Sequence, residues 1–133
     1  MATIKRKVKT FRDVDLTFAL NPLSKDVAFK YDDDSIKASI KNLLLTMNYE
    51  RPFHPEIGSP IYGLLFELAT PITAKVIETI VTQTLEAFEP RAMLNYVYVR
   101  AAPDQNAYDV TVNFSIINYY EPFEVKVLLQ RLR

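Results

Sequence analysis

The sequence predicts an α+β fold, with about three helices packed on a mainly antiparallel sheet of three to four strands. Three observations carry this expectation. Apolar residues recur at helical spacing through the middle of the chain, the last third switches to strict alternation, and no strand–helix–strand repeat connects the two regions.

The elements follow in order. Lys5, Arg6, Lys7, Lys9 and Arg12 crowd the start, so residues 1–13 read as a basic, flexible arm: either a solvated tail or a segment that orders on an acidic partner. Residues 14–133 are expected to form one domain, long enough to bury its own core. Leu16, Phe18 and Leu20 alternate and predict a short strand, which Asn21-Pro22 ends. Ile36, Ile40, Leu43, Leu44 and Met47 form the apolar stripe of a first helix. Asp32, Asp33, Asp34 and Ser35 supply its N-cap candidates and place negative charge at its positive end. A calcium loop would instead need alternating oxygen ligands, a central glycine and a closing glutamate, and these are missing.

The stretch "NYERPFHPEIGSP" holds three prolines and one glycine and predicts a loop. Ser59-Pro60 opens a short helix with Ile61, Leu64, Leu65 and Leu68 as its buried stripe. Thr70-Pro71 repeats the signal and opens a third helix carrying Ile77, Ile80, Val81, Thr84, Leu85 and Phe88, which Pro90 stops. A strand is expected near residues 94–101 and a turn at Pro103–Asn106. Then Tyr108, Val110, Val112, Phe114 and Ile116 alternate with polar residues, as do Phe123, Val125, Val127 and Leu129. One apolar face per strand is the pattern of an antiparallel sheet packed on helices.

Composition removes many chemistries. The chain has no cysteine, a single histidine and two glycines, so thiol catalysis, most zinc sites and a glycine-rich phosphate loop are excluded. Lysine plus arginine balance aspartate plus glutamate at 16 each, which gives no sign of nucleic-acid binding, and no run of about 18 apolar residues predicts a membrane span. No metal or cofactor is expected. Glu50, Glu56, Glu67 and Glu89 are carboxylates of the type a glycosidase uses, but none lies in a context that defines a pair. His54 stands in the proline-rich loop with no nucleophile pattern around it.

Glu89-Pro90-Arg91 is harder to dismiss as folding alone. Pro90 has a sufficient role in stopping the helix. A carboxylate at Glu89 sits at the negative end of the helix dipole, so its placement needs compensation from elsewhere. Arg91 can offer its fork of donors to a carboxylate or to a partner's backbone.

Two motifs in this order, "DDDSIKASIKNLLLTMNYERPFHPEIGSPIYGLLFEL" and "FEPR", resemble the baseplate-wedge and sheath-initiator family of contractile injection machines. That family includes the T-even-type wedge protein once described as lysozyme-like and its type VI secretion counterpart. The resemblance covers about residues 13–130. It implies a non-enzymatic structural subunit of a virion tail baseplate, assembled in the host cytoplasm, with a fold like the strand-exchanging part of the sheath. Glu89, Pro90 and Arg91 would dock on a helical core bundle of other wedge subunits, with Glu50 and Arg51 as a second loop motif. Phe123, Val125, Val127 and Leu129 would lie on a strand that exchanges with the tail sheath protein, and the tail tube is a further candidate partner. Many family members carry glycine before Glu-Arg where this chain has Tyr49, so either Tyr49 or Asn48 must take a left-handed turn. The competing expectations are a peptidoglycan-cleaving lysozyme of the tail and an adaptor of another system.

Overall fold

Thr70 and Pro71 act as their residue types dictate. The Thr70 hydroxyl accepts a hydrogen bond from the Thr73 amide at 3.2 Å, and Pro71 begins helix α3 (Pro71–Phe88). The computed structural model describes residues 11–117, 119 and 121–131. Before α3 stand β1 (Arg12–Val14), β2 (Phe29–Tyr31), α1 (Asp32–Leu45) and the single-turn α2 (Ile61–Leu64). After it come β3 (Ala92–Ala102), a 3₁₀ turn at Pro103–Gln105, β4 (Ala107–Ile116) and β5 (Pro122–Gln130). Among the described residues, three helices and two antiparallel sheets, of two and three strands, make the α+β fold that the periodicities predict.

The larger sheet has the order β3-β4-β5, antiparallel throughout, so β4 is central. Its register places Leu94, Phe114 and Phe123 side by side, with the Phe114 and Phe123 ring centroids 6.0 Å apart. Tyr108, Val110, Val112, Phe114 and Ile116 are all buried, as their alternation requires. They meet Ile36, Ile40, Leu43 and Leu44 of α1 and Ile77, Val81 and Leu85 of α3 in one core. On β5 Val127 and Leu129 are buried, while Phe123 and Val125 are partly covered. Asn106, at φ 47°, closes the tight link between β3 and β4.

Five local expectations are corrected. Leu16, Phe18 and Leu20 do not form the strand; β1 lies earlier and pairs with β2. The Asp15 side chain accepts from the Thr17 amide and its carbonyl from the Phe18 amide, so a turn interrupts the alternation and leaves all three apolar residues exposed. Arg12 and Asp13, read as the end of a flexible arm, belong to β1; Lys5, Arg6, Lys7 and Lys9 lie outside the described residues. Helix α1 has no side-chain cap, because it begins at Asp32 and leaves Tyr31 at the cap position; the three aspartates occupy its first turn, and Ser35, inside the helix, bonds across to Asp13. The helix also stops at Leu45, leaving Met47 outside the stripe and half exposed.

The fifth correction is Leu68. Its side chain is 84 % exposed, whereas its carbonyl accepts from the Thr70 amide at 2.9 Å, the Thr73 hydroxyl at 3.2 Å and the Tyr108 hydroxyl at 3.4 Å. Helix α2 ends at Leu64, so Leu68 lies beyond its single turn, in the irregular link to α3, with its carbonyl inward and its side chain outward.

The loop after α1 answers the question posed by its missing glycine. Tyr49 itself takes the left-handed conformation, at φ 67°, at a cost of roughly 1–2 kcal/mol for a residue with a side chain. The Tyr49 amide donates to the Pro55 carbonyl and the Glu50 carboxylate accepts from the Met47 amide at 2.8 Å, which hold the turn. Gly58 closes the loop against the backbone of Met47 and Asn48, just beyond α1. A Cβ there would stand 2.6 Å from the Met47 carbonyl oxygen, so only glycine fits.

Candidate docking site at the end of the third helix

The last turn of α3 delivers Glu89 to a covered position. Its amide still donates to the Leu85 carbonyl, and its side chain is 3 % exposed. Pro90 then breaks the helix, so Arg91 folds back over the residue two before it. The Arg91 guanidinium grips the carboxylate with both arms of its fork: Nε to Oε1 at 2.7 Å and Nη2 to Oε2 at 3.0 Å. Ser39 of α1 donates its hydroxyl to Oε2 from the other side. The compensation that a carboxylate at a helix C-terminus needs is thus supplied within the chain.

Arg91 has one arm left. Its Nη1 reaches Asp13 of β1, at 3.2 Å to Oδ2 and 3.4 Å to Oδ1. Asp13 also accepts from Ser35 of α1 at 2.6 Å. Ser35 and Ser39 are four residues apart on one face of α1, so the side chains Ser39, Glu89, Arg91, Asp13 and Ser35 form a bonded series that the helix backbone closes into a ring. The ring ties α1, β1 and the α3–β3 corner together. Phe11 adds its ring face 5.7 Å from the Arg91 guanidinium carbon.

The electrostatics follow from these bonds. The hydrogen bond from Ser35, with Arg91 behind it, holds the Asp13 carboxyl below its ordinary range against the opposing effect of burial. The paired hydrogen bonds to Glu89 push the Arg91 guanidinium further up, so it stays charged at every accessible pH.

Asp13, Ser35 and Ser39 also line a groove of about 610 Å³ between β1 and α1, whose walls include Val14, Leu16, Ile57 and Phe88. Arg51 and Lys41 stand on the same groove, both exposed. The two sequence motifs therefore meet here, through Ser39 bonded to Glu89; of the Glu50-Arg51 pair only Arg51 reaches the groove, because Glu50 is turned to its own loop. The β5 residues Phe123 to Leu129 are elsewhere, on the sheet. Asp13, Ser35 and Ser39 were missed from sequence. Two serines spaced by one helical turn beside the Ile36–Ile40 stripe were the only signal of a polar seam.

The remaining candidate acids and the histidine form no second site. Glu56 lies 3.3 Å from His54 in the exposed loop, and Glu67 is exposed. Among the described residues no cluster of histidine and carboxylates could hold a metal ion.

Comparison with known proteins places this architecture. The fold is shared with three solved structures. A protein given provisionally as a tail lysozyme, from Geobacter sulfurreducens, superposes with a TM-score of 0.67 at 22 % identity, over 76 % of this chain and 92 % of the other. A chain of the anti-feeding prophage baseplate gives 0.63 at 15 % identity, over 90 % and 85 %. A chain of the type VI secretion baseplate complex gives 0.59 at 17 %, over 73 % and 93 %. In sequence, residues 30–119 match the family described as baseplate wedge protein gp25. The chain is also 31 % identical over 116 residues to baseplate wedge protein gp25 of Enterobacteria phage T4, covering 87 % of each. The chain belongs to the gp25 baseplate wedge family.

Proposed function

We propose that this chain is a non-catalytic wedge subunit that docks on a helical bundle of other wedge subunits through the Glu89-Pro90-Arg91 corner, and that its three-stranded sheet receives strands of the tail sheath. The observation that carries the docking half is the state of Arg91. Glu89 saturates two arms of its fork from within, and the third is held by Asp13, a residue lining an open groove that also displays Arg51 and Lys41. The corner is thereby a rigid mount beside a groove whose exposed cations, Arg51 and Lys41, suit a carboxylate or carbonyl of a partner. The same bonds argue against the lysozyme reading. Glu89, the most buried of the candidate acids, has both oxygens committed to Arg91 and Ser39 and is closed to a substrate.

Capture of purified helical wedge subunits tests the docking half. The pair Glu89→Gln/Arg91→Gln removes both charges together and leaves no buried carboxylate without its partner, so the chain keeps its fold. Capture should weaken at least tenfold, as expected for loss of a hydrogen-bonded charge at an interface. Undiminished capture by the folded pair variant removes the corner from docking.

For the sheath half, the order β3-β4-β5 leaves both β3 and β5 bordered on one side only among the described residues. With no native cysteine, Leu128→Cys on β5 and Tyr98→Cys on β3, both half exposed, report cleanly on each edge. Disulfide formation with a cysteine-scanned sheath terminus should appear at alternate sheath positions for the strand that is used. Failure of both reporters in assembled tails would sink strand exchange.

A further inference from the structure

Asp13 holds Arg91 in a different manner from Glu89. The Glu89 contacts are short, bidentate and buried, whereas Asp13 stands off at 3.2 and 3.4 Å with a side chain 42 % exposed. Its element is also lightly held. A sheet of two three-residue strands is marginal by itself. It is fastened to the domain by the Asp13 contacts, by the Asp32 amide donating to the Phe11 carbonyl and the Phe11 amide to the Asp32 carboxylate, by Phe11 packing on the core, and by β2 running directly into α1. The adjoining groove has apolar walls and an unbalanced set of charges. Asp15 is engaged by the Thr17 amide and Lys30, and Asp13 by Ser35 and Arg91. Lys41 and Arg51, both exposed, have no ion pair among the described residues.

Resting on the docking reading above, we propose that Asp13 is an internal stand-in for a partner carboxylate. The occupant of the groove is an apolar segment bearing acidic side chains; one of its carboxylates displaces Asp13 from the outer arm of Arg91. Arg51 and Lys41 receive the others. The geometry explains why the Arg91 edge is neutralised in the unbound chain yet weakly: an exposed ion pair contributes little and exchanges readily, while the bidentate Glu89 pair keeps the guanidinium aimed throughout. The β1–β2 ribbon is then a latch, closed over the docking arginine until a better-placed acid arrives.

The test uses the full chain and purified helical wedge subunits as the probe. Asp13→Asn keeps an acceptor for Ser35 but removes the competing charge. It should tighten capture by about three- to fivefold, the release of one exposed ion pair. The gain should vanish in the Glu89→Gln/Arg91→Gln background, since nothing is then left to compete for. Arg51→Glu should weaken capture, more strongly at low salt than at high. Weaker or unchanged capture by Asp13→Asn makes Asp13 an anchor and overturns the stand-in, as does a gain that persists without Arg91. If the Gln pair captures as well as the unaltered chain, the docking reading itself fails, an outcome distinct from either of these.

Discussion

Arg91→Ala should lower the unfolding free energy by about 3–5 kcal/mol, the usual cost of stranding one partner of a buried ion pair. Glu89 is 3 % exposed and would keep only the Ser39 hydroxyl as a side-chain donor. Asp13 would lose its tie to the corner at the same time, loosening β1. Urea unfolding monitored by circular dichroism reads this as a shifted midpoint, and the Glu89→Gln/Arg91→Gln pair should recover much of the loss. A loss below about 1 kcal/mol for Arg91→Ala would mean that water reaches Glu89, contrary to its burial. The prediction also bears on function. An alanine at Arg91 mixes destabilisation with any defect in docking, which is why the charge-neutral pair is the cleaner probe.

Phe114→Ala should cost a similar amount, about 3–5 kcal/mol, for a different reason. Phe114 is fully buried in the central strand, between Leu94 of β3 and Phe123 of β5 and beneath the helices. Truncating it opens a cavity where both sheet neighbours and the core meet, and it removes the ring pair with Phe123. Phe123→Ala, at a partly covered edge position, should cost clearly less. Equal losses at the two sites, measured in the same denaturant series, would contradict a core centred on β4.

What could be read from sequence divides by the range of the interactions. Helix α3 and strand β4 are legible because a start signal or an unbroken alternation fixes each one locally. The strand expected at Leu16–Leu20 failed through a competing local effect, the Asp15 side chain bonding its own backbone. Leu68 failed because α2 stops at Leu64, and the link beyond it is fixed by a bond from Tyr108, 40 residues away. The docking corner shows the same divide. Its acid, proline and arginine are adjacent and conspicuous, yet their partners Ser39 and Asp13 lie 50 and 78 residues distant. No period in the sequence announces a ring of that span.

The saturated carbonyl of Leu68 has a mechanical consequence. Its three donors come from the turn before α3, from α3 itself and from the central strand, so the connection is riveted at one atom. Phe66, Leu68 and Ile72 project from that rivet into solvent. A loop so fastened has already lost its backbone freedom, and any surface that covers these side chains is spared most of the ordering entropy that a mobile loop would demand.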